Sequence, residues 1–192
     1  YGPRKAECER VCFAAADDGM NAMVVRPVCV YGPYDHTERH DYWFHRVHTY
    51  DRIIVPGDGD STFHRVYVKD LARALLLVAE RGEPGEAYNV AERQTAWLDM
   101  TIHLAAKKLD TDVDLVHTSA RELARVNLTP MDFPLYLPVP GVVASEKLAA
   151  LGWTSAPLEE TFVQTIEEHL ESDRIGEEPS MHEFGVNRVD EE

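Results

Sequence analysis

Apolar residues in this chain come in short blocks whose spacing alternates between helix-like and strand-like. Pro3 has no N–H to lose and suits a first helical turn. The pattern predicts a helix over 3–18, with Cys8, Val11, Cys12, Phe13, Ala14 and Ala15 as a mostly buried face and Gly19 as its stop. An unbroken apolar run predicts a strand over 22–27, buried on both faces. Residues 31–41 are polar, bounded by Gly and Pro, and read as a loop, with 41–50 an aromatic, histidine-rich helical segment. A strand over 52–55 enters the Gly/Asp turn 56–60. Strand 64–68 then leads into a helix over 70–81, capped by Asp70 or a neighbour and ended by Gly82. Strand 86–90 precedes a helix over 95–109, in which Trp97, Met100, Leu104 and Leu109 keep roughly helical spacing. A strand over 113–117, a short helix from Ser119, a proline-rich irregular stretch over 127–141, a helix over 145–151 and a helix over 157–172 complete the pattern. Residues 173–192 are acidic and punctuated by Gly and Pro, and read as a disordered tail.

This alternation points to an α/β fold, and 192 residues with 44% hydrophobic content suffice for one core. Charge changes the picture more than size does. The chain carries 34 acids against 19 bases, a net −15, with five lysines and fourteen arginines. Such a surface suits a halophilic protein whose self-repulsion is screened by salt; an acidic mesophilic protein with a charged tail is the plainer alternative. Either surface repels phosphate backbones, so nucleic acid is not expected as a partner. Cys8, Cys12 and Cys29 form no C-x-x-C pair, which fits buried thiols in a reducing cytoplasm. No apolar run approaches the ~18 residues of a membrane span, and no signal peptide is visible. The chain starts at Tyr1 rather than Met, which suggests a fragment, a processed product or a misplaced start.

Tyr1 and Lys5 carry the candidate chemistry. Four residues apart at the start of a helix, they project from one face. A phenol alone titrates near ~10 and is a poor base at neutrality. An ammonium beside it favours phenolate, as would the positive ring of an oxidised nicotinamide. A phenol so placed can exchange a hydroxyl proton while hydride moves to or from a cofactor. Taken alone, Y-x-x-x-K is equally a tyrosine and a lysine on an ordinary helix. The order of the blocks downstream adds weight: Arg26-Pro27, the turn Val30-Tyr31-Gly32-Pro33, the turn Pro56-Gly57-Asp58-Gly59-Asp60, then His64 to Asp70, and Gly85-Glu86-Ala87-Tyr88-Asn89-Val90.

Over about residues 1–170 this succession resembles the extended short-chain dehydrogenase/reductase family, the NAD-dependent epimerase/dehydratases, from its Y-x-x-x-K motif onward. The resemblance implies the C-terminal part of a doubly wound Rossmann-type parallel sheet plus a smaller α/β substrate-binding lobe. Residues 1–30 would end the Rossmann-type domain, and 31–172 would be the substrate lobe interleaved with its last strands and helices. No G-x-G-x-x-G occurs in the chain, so NAD or NADP would be bound mainly by a missing upstream segment, and the isolated piece is expected to be inactive. The resemblance makes Tyr1 the general acid/base and gives Lys5 the nicotinamide ribose. It places Pro27 and the backbone of Val28 by the carboxamide.

Two positions depart from the family's nucleotide-sugar pattern. Cys29 stands where an Asn would contact substrate, and Phe63 where an Arg would meet its phosphate, although Arg65 is near. A smaller carbonyl or sugar substrate thereby becomes comparable to a nucleotide sugar. Tyr31 is a candidate substrate contact, and Tyr34, Tyr42, Trp43 and Phe44 would form an apolar wall or lid over the substrate; packing between lobes is the alternative. His36, His40, His45 and His48 lack a metal-binding pattern, and no metal site is expected. His64 and Asp70 read as structural. Relatives in this family often dimerise through the Y-x-x-x-K helix, which makes a homodimer possible. A non-catalytic module that binds a metabolite or a partner protein is the rival reading.

Overall fold

The computed structural model of this chain describes residues 1–171, so the expected tail over 173–192 lies outside the described residues. In chain order the elements are α1 (Gly2–Asp17), β1 (Val24–Pro27), β2 (Cys29–Tyr31), α2 (Arg39–Thr49) and β3 (Arg52–Pro56). β4 (Thr62–Phe63), β5 (Arg65–Tyr67), α3 (Val68–Arg81), β6 (Ala87–Val90) and β7 (Ala96–Trp97) come next. The remainder comprises α4 (Leu98–Leu109), β8 (Asp114–Thr118), α5 (Ala120–Leu123), α6 (Glu146–Ala150) and α7 (Leu158–Glu171). This is an α/β chain with parallel strand pairs. It divides into two compact units.

The first unit comprises Tyr1–Val30, His64–Arg93 and Val143–Ala156. In it β1 and β6 run parallel, in register from Val24 opposite Ala87 to Pro27 opposite Val90. β2 pairs with β5. α3 covers these strands because Asp70, Ala74 and Val78 repeat every four residues and are buried, with Leu71 and Leu77 beside them. Val66, Tyr88, Val90, Leu148 and Trp153 close the same core. The returning segment 143–156 is tied down by polar contacts. The Asn89 side chain donates to the Ala144 carbonyl (3.0 Å), and the Trp153 indole N–H donates to the Asp70 carbonyl (3.1 Å).

The second unit comprises Tyr31–Phe63, Gln94–Val142 and the residues from Pro157 on. β3 and β8 are parallel, from Arg52 opposite Asp114 to Pro56 opposite Thr118. β4 pairs antiparallel with β7, and Gly141 bridges to Phe63. Trp43, Phe44, Ile53, Val55, Leu98, Ile102 and Ile166 are fully buried, with Phe162 at 1% exposure among them. The Phe162 ring lies 5.2 Å from that of Tyr31 and 5.7 Å from that of His40.

Several expectations need correction. α1 has no buried residue: Val11 is 63% exposed and Cys8 is exposed. Its apolar residues run consecutively from 11 to 16 and so spread around the helix instead of lining one face. β1 is not buried on both faces, since Arg26 and Pro27 are exposed. Cys29 to Tyr31 forms a strand where a turn was expected. α3 starts at Val68 with Tyr67 as its N-cap, so Asp70 is no cap. Its buried carboxylate instead accepts the Ala156 N–H at 2.7 Å and meets Arg73. In α4 the buried set is Leu98, Thr101, Ile102, Ala105 and Ala106, whereas Trp97 is 50% exposed. The β4–β7 pairing holds Trp97 in extended backbone, which shifts the buried stripe by one position.

Candidate functional site

The geometry in the first unit begins with the sense of α1. At its far end Ala16 lies level with the start of β1. A Cβ built on Gly85 would stand 3.8 Å from Ala16 Cβ, and Gly85 donates to the Ala22 carbonyl at 2.9 Å. Nearer its start, Glu9 reaches Arg26, one residue before the end of β1. Helix and strand therefore run in opposite senses. Tyr1 is left at the carboxyl-end side of the parallel pair, the side on which open α/β sheets bind ligands.

Tyr1 is the N-cap of α1, and its carbonyl accepts the N–H groups of Arg4 (3.1 Å) and Lys5 (3.2 Å). That first turn stacks the two side chains: Lys5 Nζ lies 5.7 Å from the centroid of the Tyr1 ring. The phenol is 92% exposed. Phenol and ammonium thus face solvent side by side. Between Lys5 and Arg26 stands the Glu9 carboxylate. Arg26 Nε donates to Oε1 at 2.8 Å and Nη2 to Oε2 at 2.5 Å, a bidentate fork. Hydrogen bonding from Arg26 holds the Glu9 carboxyl below the usual carboxylate range; burial slightly opposes this, and the Lys5 ammonium adds to it. The same pair raises the Arg26 guanidinium.

Pro27 ends β1 and is exposed. Val28 donates its N–H to the Val90 carbonyl at 3.2 Å, which commits that amide to the sheet. Cys29 is half-buried and is not part of a disulfide. Arg65 is fully buried, so its guanidinium is not presented to solvent. Of the residues predicted in this unit, the structure brings Tyr1 and Lys5 together at the surface and encloses Arg65.

In the second unit Tyr34 is 94% exposed with a left-handed φ of 63°. The other predicted residues there are enclosed. Tyr31 shares a 2.6 Å hydrogen bond with the Thr161 hydroxyl. Trp43 donates to the Pro134 carbonyl at 3.0 Å and stacks on Phe133, and Phe63 is 5% exposed. Trp43 is therefore core of its unit rather than a wall open to a substrate. His40 and His45 are buried as well. No group of three His, Cys, Asp or Glu residues able to hold a metal occurs among the described residues.

Sequence reasoning missed two polar pairs. One is Glu9–Arg26. The other is His117 with Asp99, 2.8 Å apart in the second unit. Both join residues 17 or 18 positions apart, and only folding brings them together. The first had one readable signal, since Glu9 continues the four-residue stripe of Tyr1 and Lys5.

The Tyr1–Lys5 pair places a phenol and an ammonium together on one exposed helix face. The chain contains no G-x-G-x-x-G run to hold a pyrophosphate. No helix among the described residues is long and apolar enough to cross a membrane.

The sequence profile of the NAD dependent epimerase/dehydratase family matches residues 1–91. The dTDP-D-glucose 4,6-dehydratase of Homo sapiens is 28% identical over 180 residues, covering 90% of this chain and 48% of that protein. The chain thus spans about half the length of the curated relatives it matches. Among solved structures, the Streptomyces venezuelae dTDP-glucose 4,6-dehydratase DesIV with NAD bound superposes with a TM-score of 0.71 at 18% identity, over 94% of this chain and 53% of that one. The Thermotoga maritima UDP-glucose 4-epimerase with UDP-glucose gives 0.70 at 23% identity, over 90% and 53%. At these identities the structural matches establish the fold.

Proposed function

We propose, for a chain that belongs to the extended short-chain dehydrogenase/reductase family of NAD-dependent epimerases and dehydratases, that it carries the proton-exchanging half of an NAD(P)-linked reaction at a hydroxyl-bearing carbon of a nucleotide sugar. The observation that carries this reading is the exposed phenol of Tyr1 beside the Lys5 ammonium, at the carboxyl-end side of a parallel strand pair. A nicotinamide bound there would supply or take up the hydride. Tyr1 would accept the hydroxyl proton as the carbon is oxidised to a ketone, and return it on reduction. Lys5 would donate to the ribose hydroxyls and keep a positive charge next to the phenol. Pro27 and the Val28 carbonyl would wall the carboxamide side, with the Cys29 thiol next along the chain as a neutral contact to substrate. Within this unit the fully buried Arg65 would shape the fold behind these contacts; in the second unit Tyr34 is exposed, and Tyr31, Trp43 and Phe63 are core.

The test uses the native protein with NAD and either dTDP-glucose or UDP-glucose. Deuterium at the reacting sugar carbon should slow turnover, and an oxidised or inverted sugar should accumulate. Absence of any sugar conversion with either substrate would contradict the reading and favour a non-catalytic binding module.

A further inference from the structure

We infer that Glu9 and Arg26 are positioning residues, whose two-bond fork sets where Tyr1 and Lys5 stand relative to the strand end at Pro27 and Val28. The inference rests on the functional reading of Tyr1 given above.

The first turns of α1 are otherwise weakly held. None of its residues is fully buried; Cys12, Phe13, Ala15 and Ala16 are half-buried, whereas residues 1–8 are all exposed, so apolar packing holds only the second half of the helix. At its far end it meets Gly85 through the small Ala16 side chain. It then leaves through Gly19, whose φ of +93° is open to glycine at little cost. A helix held at that end pivots there. Tyr1 lies fifteen residues from Ala16, about 22 Å of helical rise, so a tilt of about 3° moves it about 1 Å. Misplacement on that scale costs on the order of 100-fold in rate.

The fork is placed to prevent this tilt. It grips α1 two turns from Tyr1 and grips β1 at the residue before Pro27. Two parallel N–H···O bonds fix orientation as well as distance, which a single lysine contact does not. The Glu9 and Arg26 side chains are 25% and 46% exposed. Ion pairs that open to water add little to stability. A role in overall stability would therefore be small, and the role in placing α1 is what remains.

The experiment compares Glu9→Gln, Arg26→Gln, Arg26→Lys and the swapped pair Glu9→Arg/Arg26→Glu in the native protein, with NAD and dTDP-glucose as probes. Glu9→Gln and Arg26→Gln should each lose about 10- to 100-fold in kcat, with KM within about threefold and Tm within a few degrees. The swap should recover most of the loss and Arg26→Lys only part. A readout independent of activity is amide hydrogen exchange over residues 2–10. Exchange should rise in Arg26→Gln while residues 70–81 stay unchanged. Unchanged exchange in α1, or a kcat loss that the swap leaves in place, would overturn the inference. If the wild-type protein shows no turnover, or Tyr1→Phe keeps it, the functional reading fails instead, and exchange alone decides whether the fork holds α1.

Discussion

Arg73→Ala should destabilise the first unit more than Asp70→Asn does, although Arg73 is the more exposed partner. The Asp70 side chain is fully buried, whereas that of Arg73 is 57% exposed, and Arg73 Nη2 lies 2.5 Å from Asp70 Oδ1. Oδ2 accepts the Ala156 N–H at 2.7 Å. Removing Arg73 leaves a buried carboxylate with that contact alone, a situation that costs about 3–5 kcal/mol in general. Asp70 stands in the first turn of α3, where the positive end of the helix offsets part of the penalty. About 2–4 kcal/mol is the expected cost. Asp70→Asn keeps an acceptor for Ala156 and frees Arg73 to swing into water, so it should cost about 1–2 kcal/mol, the weakening of one charge-assisted bond. The double variant should then resemble Asp70→Asn, giving a coupling as large as the Arg73→Ala cost, about 2–4 kcal/mol. Urea unfolding gives the global values, and hydrogen exchange over residues 153–156 reads the site directly, since Trp153 and Ala156 both bond to Asp70. If Arg73→Ala stayed within about 0.5 kcal/mol of wild type, as an ordinary surface pair would, the carboxylate is hydrated and the reasoning fails.

Local geometry sets two further outcomes. The His64 Nδ1 accepts the Val143 N–H at 3.0 Å, and burial, the largest cause, pushes its pKa below the ordinary 6.5, with nearby Arg65 adding to the shift and the Val143 carbonyl opposing it. A depressed histidine binds protons better when unfolded, so its share of stability is present above about pH 6.5 and is lost as pH falls through the folded value. The wild-type Tm should fall more steeply below pH 6.5 than that of His64→Asn, and parallel curves would contradict this. Gly57 and Gly59 have φ of +71° and +73°, but only at Gly59 would a Cβ strike Asp99, at 2.0 Å from Oδ1. Alanine at Gly57 should cost about 1 kcal/mol for the left-handed backbone. At Gly59 it should cost clearly more and loosen the Asp99–His117 bond, visible as a changed His117 signal in NMR; equal effects would refute the steric argument.

What could be read from the chain depended on how local the cause was. Residues 70–81 announced a helix because Ala74 and Val78 sit one turn apart and Gly82 comes after, and the structure adds only Val68 and Lys69 in front. The closeness of Tyr1 and Lys5 was legible for the same reason, since a single turn brings one to the other. β2 was not legible, because Cys29 to Tyr31 becomes a strand only by pairing with β5, more than thirty residues on. The exposure of α1 was hidden too: six consecutive apolar residues look like a core face until their angular spread is drawn. Trp43 misled in the other direction, since an aromatic residue beside a polar loop suggests a ligand wall, and its enclosure comes from Phe133 and Pro134, some ninety residues away.

The central claim is that Tyr1 exchanges the substrate's hydroxyl proton, and Tyr1→Phe in the native protein tests it most directly. Steady-state turnover of dTDP-glucose with NAD should fall by at least about 100-fold, the range expected for removing a positioned acid/base. NAD affinity, measured by titration on the same preparation, should stay within about threefold. Equal turnover in wild type and Tyr1→Phe would contradict the account.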